Sequence, residues 1–231
     1  MINLSLIIPA QNSEKVIKKS IEEYYAAFSG KVEKMEIIII CNACSDNTFE
    51  VCHSLINKLP IKVIEIPHRG KGYALIRGFN EAKYEIIGFL DSDNSFDLNK
   101  VIQMIDLLEE NDLVIASKYL QKQLRSQNSL MRRLISLGGG IISKFLFNLK
   151  LSDTQAGAKF FKKRVWDKIG KKNFVCNGFD FDIEFLYRSQ KIKFKIAEFY
   201  IPLVRYDKFS TFRLKYLPGM FVRLLKLRFL K

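Results

Sequence analysis

Over the first 120 positions, short unbroken apolar runs alternate with longer stretches in which apolar residues return every three or four places. Leu4–Ile8 is the first run, and Pro9 ends it. Ser13 then stands where a helix cap belongs, ahead of a helical stretch over 14–28. Glu36–Ile40 is a β-branched run of the kind buried on both faces of a sheet. Ser45 or Asp46 caps a helix reaching about Asn57, and Ile61–Ile66 is the third strand. Gly70 and Gly72 open a helix over 71–82, followed by a strand over 85–90, a helix over 97–110 and a strand over 113–116. The second half is less regular. It predicts a helix over 130–149, a loop over 152–157, a strand near 159–161, a helix over 181–189, a strand over 194–201 and a tail in which basic and apolar residues mix.

Strand–helix alternation of this kind implies a mostly parallel sheet covered by helices on both faces. Ligands in such folds bind beyond the carboxyl ends of the strands. The residues that end the strands are therefore the ones to examine: Pro9, Ala10, Gln11 and Asn12; Cys41 and Asn42; the run His68 to Gly72; and Asp91, Ser92 and Asp93.

Charge narrows the partners. The chain of 231 residues carries 38 lysines and arginines against 24 acids, a net +14, which favours anionic ligands. The tail over 201–231 holds eight of the basic residues and one acid, with large apolar side chains between them. That mixture predicts a helix lying on a membrane surface. No stretch has the roughly 20 nearly uninterrupted apolar residues of a spanning helix. Four scattered cysteines and an N-terminus that opens straight into a strand predict reduced thiols and a cytoplasmic location. Net charge alone also permits nucleic-acid binding, but zinc-finger and RNA-recognition signatures are absent, so no nucleic-acid partner is expected.

Asp91 and Asp93, two residues apart at a strand end, can face one Mg²⁺ or Mn²⁺, cations that take oxygen ligands and bridge to phosphates. A solvated turn is the plainer reading of the same spacing. Gly70-Lys71-Gly72 offers a phosphate close backbone approach, helix-start N–H groups and a point charge, without the spacing of a Walker loop; a tight turn with a surface lysine reads equally well. Cys41-Asn42-Ala43-Cys44 has CxxC form, yet a structural zinc needs four ligands, and only Cys52 and His53 stand near enough in sequence to add to it. Small residues at a crowded strand end explain it better. Arg132, Arg133 and Ser136 begin an apolar helix that reads equally as core or as interfacial, with arginines at phosphate depth. Asp180, Asp182 and Glu184 sit among Phe181, Ile183, Phe185 and Leu186; Asp180 and Glu184, four apart, fit a solvated helix face, and the functional reading has one of the three bind sugar hydroxyls.

As an ordered set these segments resemble glycosyltransferase family 2, most of all its dolichyl-phosphate glucose and dolichyl-phosphate mannose synthases. The likeness runs from Leu6–Asn12 through Cys41–Thr48, Gly70–Ala74, Phe89–Asp93, Asp112–Tyr119 and Asp153–Lys159 to Phe181–Glu184, and Asp153-Thr154-Gln155 looks most like the glucose synthases. The resemblance implies a GT-A fold, Rossmann-like and nucleotide-binding. It places Pro9, Ala10, Gln11, Asn12 and Glu14 near the base and ribose and Lys71 near the nucleotide. Asp91, Ser92 and Asp93 form its metal motif. Arg132 and Ser136 hold the acceptor phosphate, and Lys118, Asp153, Gln155, Lys159, Asp182 and Glu184 line the sugar and phosphate site. Relatives often carry an Asp-Asp pair where this chain has Cys41-Asn42, which leaves the base preference open. Many also have arginine where Lys118 and Lys159 stand, and lysine lacks the bidentate fork.

The expectation is an inverting, metal-dependent hexosyltransferase. It moves sugar from a UDP- or GDP-linked donor to a polyprenyl or dolichyl phosphate, and this feeds glycosylation. Residues 1–205 form the catalytic domain, with a donor half over 1–120 and an acceptor half over 121–205. Residues 206–231 form a peripheral segment on the cytoplasmic face, lying on the membrane alone or through a membrane-protein partner. The rival readings are a family 2 enzyme that extends a glycan, and a non-catalytic nucleotide-sugar-binding or scaffold protein.

Overall fold

A computed structural model describes residues 2–118, 146–170, 173–202, 204 and 216–229. Its elements are β1 (Asn3–Ala10), α1 (Ile17–Phe28), β2 (Lys34–Asn42), α2 (Thr48–His53), β3 (Ile61–Ile66), α3 (Lys71–Glu81), β4 (Ile86–Leu90), α4 (Leu98–Asp106), β5 (Leu113–Ser117), β6 (Ala158–Lys162), α5 (Lys163–Ile169), α6 (Phe181–Lys191), β7 (Ile196–Tyr200) and α7 (Leu217–Phe229). The strands form one sheet in the order β3-β2-β1-β4-β6-β5-β7. Every neighbouring pair is parallel except those of β6, which runs antiparallel to both β4 and β5.

The period-2 alternation of the strands splits the core into layers. Leu4, Leu6 and Ile8 of β1, Ile37 and Ile39 of β2, and Val114 of β5 face a layer built with Ile17, Ile21, Tyr24 and Phe28 of α1 and Val101 and Met104 of α4. Ile7, Ile87, Phe89, Ile115 and Phe161 face the other side, against Leu75 and Phe79 of α3, Trp166 of α5 and Phe181, Ile183 and Phe185 of α6. Leu224 and Leu227 of α7 join that second layer. The C-terminal helix is thus docked on the domain through one face, while Leu217, Phe221, Val222 and Phe229 are exposed. Among the described residues, no helix is long and apolar enough to cross a membrane.

Several boundaries differ from expectation. Ser13 does not cap α1 through its side chain. Its carbonyl accepts the N–H groups of Val16 and Ile17, and its hydroxyl turns instead to Gln11 O and Ser92 Oγ. The helix therefore begins at Ile17. Helix α2 stops at His53, followed by hydrogen-bonded turns to Leu59, and its entry is held by Asp46, whose carboxylate accepts the Thr48 N–H at 3.1 Å. The helix expected over 97–110 is shorter: α4 ends at Asp106, and Asp97 stands before it as its cap, accepting the Asn99 N–H at 3.0 Å. Of the helix expected over 130–149, residues 130–145 lie outside the described residues. Leu146 and Phe147 are helical, and Asn148 leaves the helix with φ of 52°.

Candidate functional site

The carboxyl ends of β1, β2 and β4 come together with the start of α3. Register puts Pro9 beside Ile40 and Ala10 beside Cys41. With its amide oriented to satisfy its neighbours, buried Asn42 donates to Ala10 O at 2.9 Å and accepts from Gly70 N at 3.3 Å. Gln11 Nε2 donates to Asn42 O at 3.1 Å. Asn12, with φ of 50°, accepts the Ser45 N–H at 2.9 Å, and Glu14 accepts the Asn47 N–H at 3.0 Å. The β1 and β2 loops are thus laced into one floor. Asn42 acts within it as a strut between two strands and the Gly70 turn.

At the end of β4, Asp91 is fixed through its backbone. Its N–H donates to Gly157 O at 3.0 Å, and its carbonyl accepts the Tyr24 hydroxyl at 2.6 Å. Burial, followed by the charges of Asp93 and Asp91, raises the Tyr24 pKa, so the phenol stays a donor. Ser13 Oγ and Ser92 Oγ lie 2.9 Å apart, tying the middle residue of the Asp-Ser-Asp turn to the β1 loop. Gly157 packs against the Asp91 carboxylate so closely that a Cβ at 157 would lie 1.8 Å from Oδ2.

Around these carboxylates the charges alternate. Lys71 Nζ, from the first turn of α3, lies 2.8 Å from Asp91 Oδ1 and 3.8 Å from Asp182 Oδ2. On its other oxygen Asp182 meets Lys159 Nζ at 2.6 Å, and Lys159 also donates to Ala156 O at 2.8 Å. Lys159 is fully buried, at a β6 position that pairs with Phe89 and that the strand pattern assigns to the apolar core. Both ammonium groups stand 5.1 Å from the Phe89 ring centre, within cation–π range. Burial opposes the charge on Lys71, but Asp91 and Asp182 outweigh it and raise the pKa. For Lys159 burial wins: together with the nearby Lys71 it pulls the pKa below the usual lysine value, against the pull of Asp182.

The three carboxylates near the start of α6 do three different things. Asp182 faces the lysines. Asp180, fully buried, takes Arg223 of α7 through Nε at 2.6 Å and the Gly178 N–H at 3.1 Å. Glu184, also fully buried, accepts the N–H groups of Val175 (2.9 Å) and Cys176 (2.6 Å) and pairs with Arg188. Its carboxylate is engaged by the 173–177 backbone. Asp153 sits at the mouth of the 152–157 loop, 3.7 Å from Lys118 Nζ, and receives the Gln155 N–H at 3.2 Å. Glu198 holds that loop from β7, accepting Ser152 N at 2.7 Å and Asp153 N at 3.2 Å. Arg132 and Ser136 lie outside the described residues.

Sequence reasoning did not single out Tyr24, Asn177 or Glu198, all of which act at a distance in sequence. Tyr24 left one trace, an apolar-face tyrosine whose hydroxyl must find a partner once buried.

A divalent cation fits the donor set. Asp91 and Asp93 offer hard carboxylate oxygens, and the Asp91 side chain is 42% exposed, so one side is open to a ligand. Among the described residues no group of three or more His, Cys, Asp or Glu side chains could cage a metal alone. The remaining coordination would come from substrate oxygens and water.

A sequence profile, Glycosyl transferase family 2, matches residues 5–170. The chain belongs to glycosyltransferase family 2. Among family relatives it is 30% identical over 213 residues to a dolichyl-phosphate beta-glucosyltransferase of Dictyostelium discoideum, covering 85% of this chain and 65% of that protein. The human dolichyl-phosphate beta-glucosyltransferase is 27% identical, covering 84% of this chain and again 65% of the relative. The chain thus spans just under two thirds of the length of these two relatives. In fold, glucosyl-3-phosphoglycerate synthase from Mycobacterium tuberculosis, solved with Mn²⁺, UDP and phosphoglyceric acid, superposes with a TM-score of 0.72 at 17% identity. The match covers 100% of this chain and 80% of the synthase. The architecture is the GT-A-like one that the family resemblance implied.

Proposed function

We propose that the protein transfers a hexose, glucose before mannose, from a nucleoside-diphosphate sugar to the phosphate of a polyprenyl or dolichyl lipid, at the cytoplasmic surface of a membrane. The observation that carries this reading is the alternating cluster of Asp91, Lys71, Asp182 and Lys159 at the carboxyl end of β4. The names of the curated relatives support the acceptor class.

In the reaction an acceptor phosphate oxygen attacks the anomeric carbon from the face opposite the donor diphosphate. The new O–C bond forms as the bond to the diphosphate breaks, the diphosphate leaves with the electron pair, and the configuration inverts. The second pKa of a phosphate monoester is near ~6, so the nucleophile is already ionised at neutral pH and a strong general base is unnecessary. The protein's task is to control charge. Asp91 and Asp93 would hold the Mg²⁺ or Mn²⁺, which supplies Lewis-acid stabilisation of the leaving diphosphate. Lys71, kept protonated by its carboxylate neighbours, places a positive charge at the helix start where the diphosphate docks. Lys159 and Gln155, on either side of Ala156 and Gly157, border the sugar. Arg132 and Ser136 are proposed to hold the acceptor phosphate in line. The exposed apolar stripe of Leu217, Phe221 and Phe229, flanked by Lys226 and Arg228, suits an anionic lipid surface.

The test is incubation of the protein with Mn²⁺ or Mg²⁺, polyprenyl phosphate and labelled UDP-glucose or GDP-mannose, with label extracted into organic solvent as the readout. Metal-dependent transfer from one donor, lost in Asp93→Ala, is the expected result. Nucleotide binding without transfer to any lipid phosphate would refute the acceptor assignment and return the choice to a glycan acceptor or a non-catalytic role.

A further inference from the structure

The loop over 173–180 touches three parts of the molecule that are far apart in sequence. Toward the donor side, Asn177 O accepts the Tyr73 N–H at 3.3 Å, and Asn177 Nδ2 donates to the Tyr73 hydroxyl at 2.7 Å. The backbone of Asn177 lies so close to the start of α3 that a Cβ on Gly70 would be 2.4 Å from its oxygen and one on Gly72 2.7 Å from its Cα. Gly70 has φ of 142°, so only glycine suits that position in conformation as well as in space. Toward the sugar side, Phe179 O accepts from Gln155 Nε2 at 3.2 Å. From the C-terminal helix, Arg223 reaches buried Asp180 with two nitrogens, Nε at 2.6 Å and Nη2 at 3.2 Å. Asp180 Oδ1 in turn fixes the Gly178 N–H, next to Asn177.

We propose that Arg223 is a positioning residue for the donor site: by clamping Asp180 it sets the 173–180 loop, and through Asn177 it sets the Gly70-Lys71-Gly72 turn against which the nucleotide diphosphate docks. The proposal rests on the donor-site reading above and adds to it that the C-terminal helix is part of the donor-binding apparatus. The chain of contacts is short and stiff. A bidentate guanidinium on a fully buried carboxylate leaves little slack. The Asn177 backbone fills the space a Cβ would need at Gly70 and Gly72, and its bonds to Tyr73 tie it to the same turn, so a shift of Asn177 is felt there. Glu184 holds Val175 and Cys176 separately, so the loop is pinned on both sides of Asn177, and Arg223 controls only the later pin. Removing Arg223 should therefore loosen the turn without unfolding the loop.

The experiment measures binding of UDP and of GDP, each with Mn²⁺, together with steady-state transfer, for Arg223→Met, Arg223→Lys, Asp180→Asn and the double variant Arg223→Met/Asp180→Asn. Arg223→Met keeps most of the aliphatic stem. It is expected to weaken the bound nucleotide and raise the donor KM about tenfold, an ordinary coupling between sites. Its kcat should fall less than threefold and its vesicle flotation should not change. Arg223→Lys should recover part of the loss. The double variant should be no worse than Asp180→Asn, because the two residues act as one unit. Nucleotide affinity within twofold of wild type in Arg223→Met would overturn the proposal. So would a loss that appears only with a matching drop in melting temperature, or additive effects in the double variant. If wild type binds neither nucleotide, the donor-site reading itself fails, and that outcome is visible before any variant is made.

Discussion

Replacing Gly157 with alanine puts the smallest possible obstacle beside the Asp91 carboxylate. The added Cβ would stand 1.8 Å from Oδ2 and 2.3 Å from Cγ, where ordinary carbon contacts begin near 3.4 Å. The backbone has little freedom to retreat, because Gly157 O accepts the Asp91 N–H at 3.0 Å and the next residue pairs with Leu90 in the sheet. The carboxylate must therefore swing away by more than about 1 Å, and it loses the 2.8 Å contact with Lys71 as it goes. A misplacement of about 1 Å in a reacting constellation can cost on the order of a hundredfold in rate. Stability should suffer much less: the obstacle meets the end of a side chain, and overpacking of this sort costs about 1–3 kcal/mol. The expected result is a kcat about a hundredfold below wild type, weaker Mn²⁺ binding by electron paramagnetic resonance, and a cooperative melt a few degrees lower. Transfer within fivefold of wild type would show that Asp91 is not held where the chemistry needs it, and the assignment of the strand end would fall with it.

Other perturbations separate structure from chemistry. Tyr24→Phe removes the donor to the Asp91 carbonyl; a loss of about 1 kcal/mol in stability and a severalfold drop in kcat are expected, and an unchanged kcat would show that the bond does not position the turn. Lys159→Met leaves Asp182 buried with Lys71 at 3.8 Å as its remaining ion-pair partner among the described residues, and breaking a buried pair in this way should cost about 3–5 kcal/mol in denaturant unfolding. Asp112 joins β5 to Lys195 N at 2.9 Å and to Arg164. Burial acts to raise its pKa, but those partners outweigh it and hold the carboxyl below the usual aspartate value. A carboxylate depressed on folding stabilises above its unfolded pKa, and the contribution is lost as pH falls through the folded value. Wild type should therefore lose stability below about pH 4 more steeply than Asp112→Asn, whose unfolding curve should be flatter there; equal slopes would remove Asp112 from the acid response.

The strands and most of the helices in the first half were legible because each has its own period. The run at 36–40 reads as a buried strand, and 61–66 as a strand, which the structure places at the edge of the sheet with Lys62 and Glu65 exposed. Asp91 and Lys71 were legible as types at a strand end and a helix start, whereas Lys159 entered through the family resemblance alone. What the sequence could not convey was pairing. Asp180, Asp182 and Glu184 read alike, two residues apart on one helix start, yet one faces α7, one the lysines and one the 173–177 backbone. Only the packing of α6 against three neighbours decides which does which. The side-chain cap at Ser13 failed for a similar reason: the hydroxyl found Ser92, 79 positions away, and a local rule has no sight of that partner. The tail read as a helix lying on a membrane surface because its inner apolar residues, Met220, Leu224 and Leu227, look the same in sequence whether they meet lipid or protein.

The buried charges carry the argument for function beyond resemblance. Lys159 occupies a fully buried position that the strand pattern reserves for an apolar side chain, opposite Phe89 and next to Phe160 and Phe161. Removing an ion from water costs several kcal/mol even after relaxation, and a well-packed hydrophobic replacement of the same pair is often at least as stable. Stability alone therefore does not explain two lysines and two aspartates held in alternation within a few ångströms. Their location does. They gather at the carboxyl end of β4, the one end of the sheet where this architecture admits a ligand. In the free protein Lys71 and Lys159 are balanced by Asp91 and Asp182, so the cluster is close to neutral and tolerates its burial. A diphosphate arriving beside Lys71 would find a cation already desolvated and already aimed, with no reorganisation left to perform at the moment of transfer. In the proposed reaction the desolvation cost would fall once, on folding, and lower the barrier in every turnover.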